Sequence, residues 1–395
     1  MKILMVSMAS QHFFNWVSQL EKAGHEIYWF DVLDSKEKVE RLSWINQIIN
    51  WKLRWDYPGR ILLKSKYPVI YKFLQQFNDR NTSKVFEKKL LEVQPDLVHS
   101  FEMQVSCLPI LEVMEKYSTF KWTFSSWGSD IFYSQEIGIP DLLMHKTLSR
   151  VDFLITDCVR DFIISKEKGF SNKFLGVFPG NGGVEFKNEL ILPLSSRKII
   201  LIKGYNNEIG KGINIIKALT VENLLLMKDY QIVIFGADME IRNYIKDNDR
   251  FSNNSIQVYL RSEFVDNKVL IELMGKSYIY IGNSLSDGLP NSLIEAMGMG
   301  AFPIQSNPGN ATAELINGKN GFLIEDALNI GEIEKLIKEA LLSPKIIEEA
   351  FFFNTLIIKE RYDREKNRVK VVTLYKSIEE NEINSNSEKV NKCLA

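Results

Sequence analysis

Residues 279–300, IYIGNSLSDGLPNSLIEAMGMG, give the strongest single indication of how this chain is built. The apolar run 279–281 reads as a buried strand, and the small, polar segment 282–288 lets the backbone approach a ligand closely. Pro290 suits the first turn of a helix, where its missing N–H is not needed. A loop that leads into a helix N-terminus presents N–H groups and the positive end of the helix dipole. The stretch therefore predicts a phosphate-binding site.

Two acids flank this loop, since Asp287 lies within it and Glu295 lies further along in the helix. Carboxylates in these positions could bind hydroxyl groups on either side of a phosphate, as a nucleotide sugar requires. Each acid also has a structural interpretation. Ser292 and Glu295 have the spacing of a capping box, in which the glutamate satisfies a backbone N–H, and Asp287 could be an ordinary turn residue. The combination of both acids with the loop is more specific than either acid alone.

The segment 287–300, DGLPNSLIEAMGMG, resembles the donor-sugar motif of retaining glycosyltransferases of family 4, which have the GT-B fold and belong to the glycosyl transferases of group 1. That motif has two acids eight positions apart, usually both glutamate, and the first of them is Asp287 here. The resemblance continues through 301–324 and is strongest over 282–324. It implies that Asp287 holds sugar hydroxyls and that Glu295 binds the ribose diol. It also implies donor-binding roles for Gly288, Leu289, Pro290 and Asn291.

The composition narrows the class of protein. A chain of 395 residues is long enough for two domains, and its 45% apolar and 25% charged residues are typical of a soluble globular protein. A formal net charge of −1 gives no reason to expect nucleic acid as a partner. The cysteines at 107, 158 and 393 lack metal-site spacing and favour a reduced, cytoplasmic compartment. No stretch approaches the roughly 20 continuous apolar residues of a membrane span, and the segment MKILMVSM reads as a strand.

The order of predicted elements indicates an α/β fold. A strand at 2–7, a helix at 13–23 and a strand at 26–32 form the opening that is typical of a doubly wound parallel sheet. A second opening of this kind starts with the apolar strand 198–203. We therefore expect the GT-B arrangement, two Rossmann-like domains facing a cleft. The expected parts are an acceptor-side domain at 1–188, a nucleotide-sugar domain at 189–362, a helix crossing back to the first domain at 363–378, and a disordered tail at 379–395.

The loop 204–212, GYNNEIGKG, is the second donor-binding candidate. The resembling enzymes usually show Gly-Arg and later Lys-Gly here, and the two cations hold the donor diphosphate. Lys211 matches the second cation, Tyr205 stands in place of the arginine, and Lys203 is a candidate to compensate. A solvated loop lysine is the structural alternative for Lys211. Two further glycines, one at the start of this loop and one at a strand end where nucleotides bind, are expected near the donor: Gly204 and Gly236.

Four residues of the first domain are candidates for the acceptor side: His12, His99, Trp127 and Asp130. His12 and His99 follow or end predicted strands, where His12 could instead cap a helix and His99 could be a satisfied structural histidine. Trp127 stands where the resembling enzymes frequently carry a histidine near the donor sugar, and an indole cannot accept a proton. It could still pack on a sugar ring. Asp130 could bind an acceptor hydroxyl or cap the helix that follows.

Residues 41–73 differ in character from the rest of the chain. They carry seven basic residues against one acid, Asp56, with six tryptophan and tyrosine residues interleaved. Basic and aromatic composition suits a helix that lies on an anionic membrane surface. It equally suits an acceptor-binding patch, because aromatic rings stack on sugar faces. A partly buried helical insertion with a solvated basic face is the third interpretation.

The resemblance implies transfer of a hexose from a nucleotide sugar to a glycan or lipid-linked acceptor with retention of configuration, in bacterial surface polysaccharide synthesis. No metal or other cofactor is expected, because Asp247 and Asp249 form an Asp-x-Asp pair that reads as a solvated turn. The expected location is the cytoplasm, with peripheral membrane contact through 41–73. A nucleotide-sugar 2-epimerase of the same fold and a non-catalytic sugar-nucleotide-binding relative remain as alternatives.

Overall fold

The computed structural model describes residues 1–263 and 265–393, which divide into two compact units. The first unit comprises residues 1–157 and 161–182 together with the chain from Arg368 onwards. The second comprises Cys158–Arg160 and Gly183–Asn367, where we expected a domain at 189–362. Each unit is built around one parallel sheet with helices, so the predicted α/β class with two Rossmann-like domains is confirmed.

Within the described residues, the first unit contains a sheet of seven parallel strands. In chain order these are β1 (Lys2–Ser7), β2 (Glu26–Asp31), β3 (Asn46–Ile48), β4 (Leu97–Phe101), β5 (Lys121–Ser125), β6 (Phe153–Thr156) and β7 (Lys173–Val177). Their order across the sheet is β3-β2-β1-β4-β5-β6-β7, so the winding reverses between β1 and β4. The central strand β4 is buried at every position, because helices cover parallel sheets on both faces.

The first eight α-helices along the chain are short in most cases. They are α1 (Gln11–Ser18), α2 (Arg60–Lys66), α3 (Pro68–Asn78), α4 (Thr82–Val93), α5 (Leu111–Lys116), α6 (Ser129–Phe132), α7 (Asp141–Arg150) and α8 (Val159–Glu167). The start of α1 shows how local sequence sets a boundary. Ser10 is extended and its hydroxyl accepts a hydrogen bond from the Phe13 N–H at 3.2 Å, which makes it the N-cap.

Six parallel strands form the sheet in the described part of the second unit. They are β8 (Ile199–Lys203), β9 (Gln231–Ala237), β10 (Ser255–Leu260), β11 (Ser277–Gly282), β12 (Phe302–Ser306) and β13 (Phe322–Ile324). The helices are α9 (Gly212–Ala218), α10 (Val221–Leu226), α11 (Met239–Lys246), α12 (Asn267–Lys276), α13 (Asn291–Gly298), α14 (Ile330–Leu342) and α15 (Pro344–Arg361). The strand order β10-β9-β8-β11-β12-β13 reverses between β8 and β11. Ligands of doubly wound sheets bind at such reversals, beyond the carboxyl ends of the strands.

The final helix, α16, runs from Arg364 to Cys393, further than the 363–378 that we expected. It covers 379–393, for which we predicted no regular structure, while residues 394 and 395 lie outside the described part of the chain. A helix that is already nucleated can propagate through polar residues. Apolar side chains of its first half belong to the core of the first unit: Val371, Leu374, Tyr375 and Ile378.

The basic, aromatic segment 41–73 divides into two parts. Trp51 is buried, stacks on Phe30 with ring centroids 4.9 Å apart, and donates its indole N–H to the Asp31 carbonyl at 2.8 Å. Trp44 packs against the core, whereas Trp55 is exposed. The first part is therefore a partly buried insertion. Among the described helices, none combines the length and the apolar character that crossing a bilayer requires.

Tyr375 connects α16 to the sheet of the first unit. Its hydroxyl accepts a hydrogen bond from the Trp16 indole N–H at 3.1 Å and lies 2.5 Å from Nδ1 of His99. All three side chains are buried. Removing the hydroxyl leaves two buried polar atoms without this partner, and such a loss costs about 1–3 kcal/mol.

Tyr375→Phe is therefore expected to lower the free energy of unfolding of the first unit by about 1–3 kcal/mol, measured by urea denaturation followed by tryptophan fluorescence. Val369→Ala, at an exposed position of the same helix, is the matched control and should change it by no more than about 0.5 kcal/mol. Equal stability of Tyr375→Phe and the wild type would contradict this account of the core.

Candidate functional site

Two loops of the second unit meet at the reversal of its strand order. The loop after β8 and the loop after β11 lie side by side, because Gly210 and Ser284 form an antiparallel bridge. The Leu285 N–H donates to the Ile209 carbonyl at 2.9 Å. These are the two loops that the sequence singled out, and the backbone brings them together.

Close backbone approach explains the glycines of the first loop. A Cβ atom on Gly212 would lie 2.7 Å from the Gly204 carbonyl carbon, and one on Gly204 would lie 2.6 Å from the Ile234 side chain. Neither position can hold a larger residue without rearrangement. The loop therefore folds back tightly between β8 and α9.

The two acids of the motif lie near one lysine. Lys203, the last residue of β8, places its Nζ 3.9 Å from Oδ2 of Asp287. Burial raises the pKa of Glu295, and the charge of Lys203 is one of those that oppose this rise. Asp287 and Glu295 in turn both raise the pKa of the buried Tyr280 hydroxyl, after the larger effect of its burial. Lys203, Asp287 and Glu295 thus form one charged cluster, which we call the acid–lysine cluster.

Glu295 titrates far from its ordinary range. Burial raises the pKa of this carboxyl to about 7, against the opposing charges of Arg364 and Lys203 and a hydrogen bond from Asn267. The carboxyl group is therefore held in a poorly hydrated place near two cations. A pair of hydroxyl donors at this position would favour the ionised form, as a diol ligand does.

The capping-box interpretation of Glu295 does not match the helix start. The N-cap of α13 is Pro290, one position earlier than we expected this proline, and α13 has no side-chain cap. The Ser292 hydroxyl lies 2.9 Å from the Tyr280 hydroxyl. Leu289 is buried in the core of the second unit, so its side chain fixes the loop. Gly288 and Asn291 lie directly before and directly after the residues Leu289 and Pro290.

Lys211 has a different environment from the one we predicted. Its Nζ donates to the carbonyls of Asn207 and Glu208, at 3.0 and 3.1 Å, so the side chain turns back on its own loop. Its backbone N–H donates to the Asn283 carbonyl at 3.0 Å. The lysine beside the acids is Lys203, which the sequence offered only as a substitute for a missing arginine.

Tyr205, which stands in place of that arginine, has two cations over its ring. The Arg261 guanidinium carbon lies 4.4 Å from the ring centroid, and Nζ of Lys203 lies 5.7 Å from it. The ring packs on Gly236, where φ is +61° and an added Cβ would lie 3.1 Å from the ring. Gly236 therefore gives the tyrosine room. Sequence reasoning missed Arg261, although its position directly after β10 was an available signal.

A cavity of about 420 Å³ adjoins Arg261 at the carboxyl ends of β9 and β10. It falls in the range of roughly 300–1,000 Å³ that is typical of small-molecule sites. Its lining consists of Ala237, Asp238, Met239, Leu260, Arg261 and Ser262. The cavity, the cations at Tyr205 and the acid–lysine cluster lie along the same edge of the sheet.

In the first unit, His12 and Trp127 lie together, with ring centroids 5.4 Å apart. His12 is exposed, and Trp127 is half-buried. His12 is not the helix cap, because Ser10 fills that position. The two rings follow β1 and β5 and lie on the ligand side of this sheet.

Asp130 and His99, the other two candidates for the acceptor side, are both buried and hydrogen-bonded within the first unit. Asp130 is buried and accepts hydrogen bonds from the N–H groups of Trp127 and Met103, both at 2.9 Å. It therefore holds the Trp127 loop in place. His99 is fully buried between Tyr375 and the Ser125 hydroxyl, and burial lowers its pKa to about 3. The ring stays neutral and structural.

Comparison with known proteins places this site within a recognised domain. The family model for glycosyl transferases group 1 matches residues 190–351, which contain both loops and the acid–lysine cluster. No curated protein sequence matches the chain.

Solved structures resemble nearly the whole chain. Sucrose-phosphate synthase from Thermosynechococcus elongatus is 14% identical with a TM-score of 0.64, covering 95% of this chain and 98% of its own. The lipopolysaccharide outer core galactosyltransferase WaaB in its apo form is 15% identical with a TM-score of 0.64, covering 97% and 100%. Anabaena Alr3699/HepE in complex with UDP-glucose is 12% identical with a TM-score of 0.63, covering 95% and 100%. At these identities the likeness shows the fold, which is GT-B.

The raised pKa of Glu295 predicts a specific pH dependence of stability. An acid whose pKa is higher in the folded state binds more protons there, so its contribution to stability falls as the pH rises from about 4.5 to about 7. Glu295→Gln removes this loss. The melting temperature of Glu295→Gln, relative to the wild type, should therefore rise between pH 5 and pH 8, as measured by differential scanning fluorimetry.

Glu339→Gln, at an exposed position of α14, is the matched control and should follow the wild type throughout. If Glu295→Gln shows the same constant offset at every pH, the carboxyl group titrates in its ordinary range and the account of its environment fails.

Proposed function

We propose that the chain is a retaining glycosyltransferase that moves a hexose from a nucleotide-sugar donor to a glycan or lipid-linked acceptor. The observation that carries this proposal is the acid–lysine cluster, which joins the two motif acids to a cation inside the group 1 domain. The presence of UDP-glucose in one of the similar structures supports a nucleotide sugar as the donor class.

The charges of the site suit departure of a diphosphate. Breaking the bond between sugar and phosphate leaves an anionic diphosphate and an oxocarbenium-like sugar. Cations that are already in place where this negative charge grows stabilise the transition state more than the ground state. Lys203 and the N-terminus of α13 supply the positive charge, and Lys211 adds to it when its Nζ exchanges the carbonyls of Asn207 and Glu208 for the diphosphate.

The carboxylates have separate roles in this proposal. Asp287, which is about one-third exposed, holds sugar hydroxyls and orients the ring. Glu295 accepts hydrogen bonds from the two hydroxyls of the ribose. The leaving phosphate takes the proton of the acceptor hydroxyl, so the acceptor oxygen gains the sugar and the diphosphate gains the proton. No side-chain base and no metal are required, which fits a tryptophan at position 127.

Arg261 takes over the charge that Tyr205 lacks. The tyrosine ring holds the guanidinium beside the cavity of about 420 Å³, and we propose that the nucleoside occupies this cavity with its phosphates toward Arg261. His12 and Trp127 are proposed to contact the acceptor.

We place the reaction in the cytoplasm, in the synthesis of a bacterial surface polysaccharide, with the segment 41–73 in peripheral contact with the inner face of the membrane. A lipid-linked acceptor would be met at that surface.

A panel of nucleotide sugars tests the function, because a ligand that binds the folded state raises its stability by RT ln(1 + [L]/Kd). The donor found in this way is then incubated with and without glycan acceptors. Transfer with retained configuration supports the proposal, and isomerised sugar from donor alone would identify a 2-epimerase. Binding without transfer or hydrolysis in any condition would identify a non-catalytic relative.

With that donor, Lys203→Ala and Lys211→Ala should each lower kcat by about 10²–10³, the usual cost of losing one group that stabilises developing negative charge. Lys335→Ala, at an exposed position of α14, is the control and should leave kcat unchanged. Near-normal turnover in both site variants would remove the cations from the mechanism.

Arg261→Ala should weaken binding of the matching nucleoside diphosphate by about tenfold or more, since it loses a charge-assisted contact. The double variant Tyr205→Arg with Arg261→Ala should recover much of that loss, because it returns a guanidinium to the position where the resembling enzymes carry one. Isothermal titration calorimetry with the diphosphate and with the free nucleoside separates the contribution of the phosphates to binding from that of the nucleoside. Unchanged diphosphate affinity in Arg261→Ala would show that Arg261 does not replace the missing charge.

A further inference from the structure

The helices α2 and α3 expose an unusual amount of apolar surface. Val69 is 79% exposed and Phe77 is 61% exposed, although both are side chains that globular proteins usually bury. The other exposed apolar side chains of this pair of helices are Ile61, Leu62, Ile70, Phe73 and Leu74. Exposed apolar residues that occur in a contiguous group mark a surface that binds something.

The apolar side chains of α3 lie on one side of the helix. Residues 69, 70, 73, 74 and 77 have the spacing of a single helical face at about 100° per residue. In a globular domain such a face is packed on the core. Within the described chain, however, Asn78 is the one buried residue of α3, and α2 has none. The apolar face therefore points away from the core of the first unit.

The helices α2 and α3 together form a helical hairpin, residues 60–78, and hydrogen bonds fix its base. The Asn78 side chain donates to the Trp55 carbonyl at 2.9 Å and accepts from the Trp55 N–H at 3.0 Å. The Arg54 N–H donates to the Asn78 carbonyl at 2.9 Å, and the backbones of Leu53 and Asp79 form an antiparallel bridge. The hairpin is thus attached firmly at one end while its apolar face stays outside.

The charge of the hairpin has one sign. The sequence from 57 to 78 contains Arg60, Lys64, Lys66 and Lys72 and no acidic residue. Arg60 pairs with Asp56 at 2.9 Å, whereas the three lysines are exposed. A second copy of this chain is a poor partner for the same face, because a two-fold contact would bring the lysines of both copies together. An anionic surface matches both the apolar side chains and the lysines.

We infer that residues 60–78 dock on the surface of an anionic phospholipid bilayer. The apolar face of α3, with Ile61 and Leu62 of α2, enters the boundary between headgroups and acyl chains, and the lysines bind lipid phosphates. An 11-residue helix is about 16 Å long, roughly half the thickness of the hydrocarbon core, so it lies on the membrane and does not cross it. The membrane contact that we predicted for 41–73 is thereby limited to the residues from 60 onwards, and it extends beyond 73 to Phe77.

Co-sedimentation of the full chain with vesicles tests the inference. The wild type should bind phosphatidylcholine vesicles that contain phosphatidylglycerol, bind pure phosphatidylcholine weakly, and be released by salt. Replacing Lys64, Lys66 and Lys72 by glutamine should lower the partition coefficient on the order of a hundredfold, because each basic residue near an anionic surface contributes a factor of about five. Phe73→Ser with Phe77→Ser should abolish binding.

The matched control is Phe352→Ser with Leu356→Ser, which removes exposed apolar side chains from α15 and should bind vesicles like the wild type. Melting temperatures should stay close to the wild-type value in every variant, since the substituted side chains are exposed. Donor binding should also stay unchanged, which separates this test from that of the proposed function.

Failure of the wild type to sediment with anionic vesicles would overturn the inference. So would equal binding by the wild type and by Phe73→Ser with Phe77→Ser. A wild-type dimer that this double variant disrupts, without vesicle binding, would assign the face to a second copy of the chain and overturn the lipid as the occupant.

Discussion

The two carboxylates of the donor motif share one cation, the ammonium of Lys203, and the rest of the site is arranged around it. It lies 3.9 Å from Asp287 and opposes the effect of burial on Glu295, whose pKa still rises to about 7. In our proposal an incoming diphosphate competes with both acids for this one cation, while the sugar and ribose hydroxyls take over the carboxylates. Ligand binding would then redistribute partners that the unliganded site already contains, which lowers the cost of organising the site for reaction.

The topology of the sheet is what allows a strand residue to serve in this way. Because β8 and β11 are neighbours at the reversal of strand order, the last residue of one strand and the loop after the other share an edge. Glycines at 204 and 212 allow the intervening loop to fold back without a side chain in between. The chemistry of the site therefore depends on backbone packing as much as on charged residues.

Local patterns predicted the parts that local forces determine. Most of the strands and the loop at 282–288 followed from periodicity and turn residues, whereas the short strands β3 and β7 carried no clear pattern. The roles of His99 and Asp130 did not follow, because burial beside Tyr375 in one case and two backbone donors in the other come from residues distant in sequence. Likewise, composition marked 41–73 as unusual, but only the fold separates the buried Trp51 from the exposed hairpin.

The departure at Tyr205 shows why a motif read along the chain can mislead. In sequence, tyrosine for arginine looks like the loss of a charge and hence of a function. In three dimensions the ring has two cations over it, Arg261 from the end of β10 and Lys203 from the end of its own strand, β8. Electrostatic stabilisation depends on where a positive charge lies, and not on which element carries it. A site of this kind can keep its positive electrostatic potential while the residues that supply the charge change. Here the Tyr205 ring, which packs on Gly236, holds the replacing cation in place.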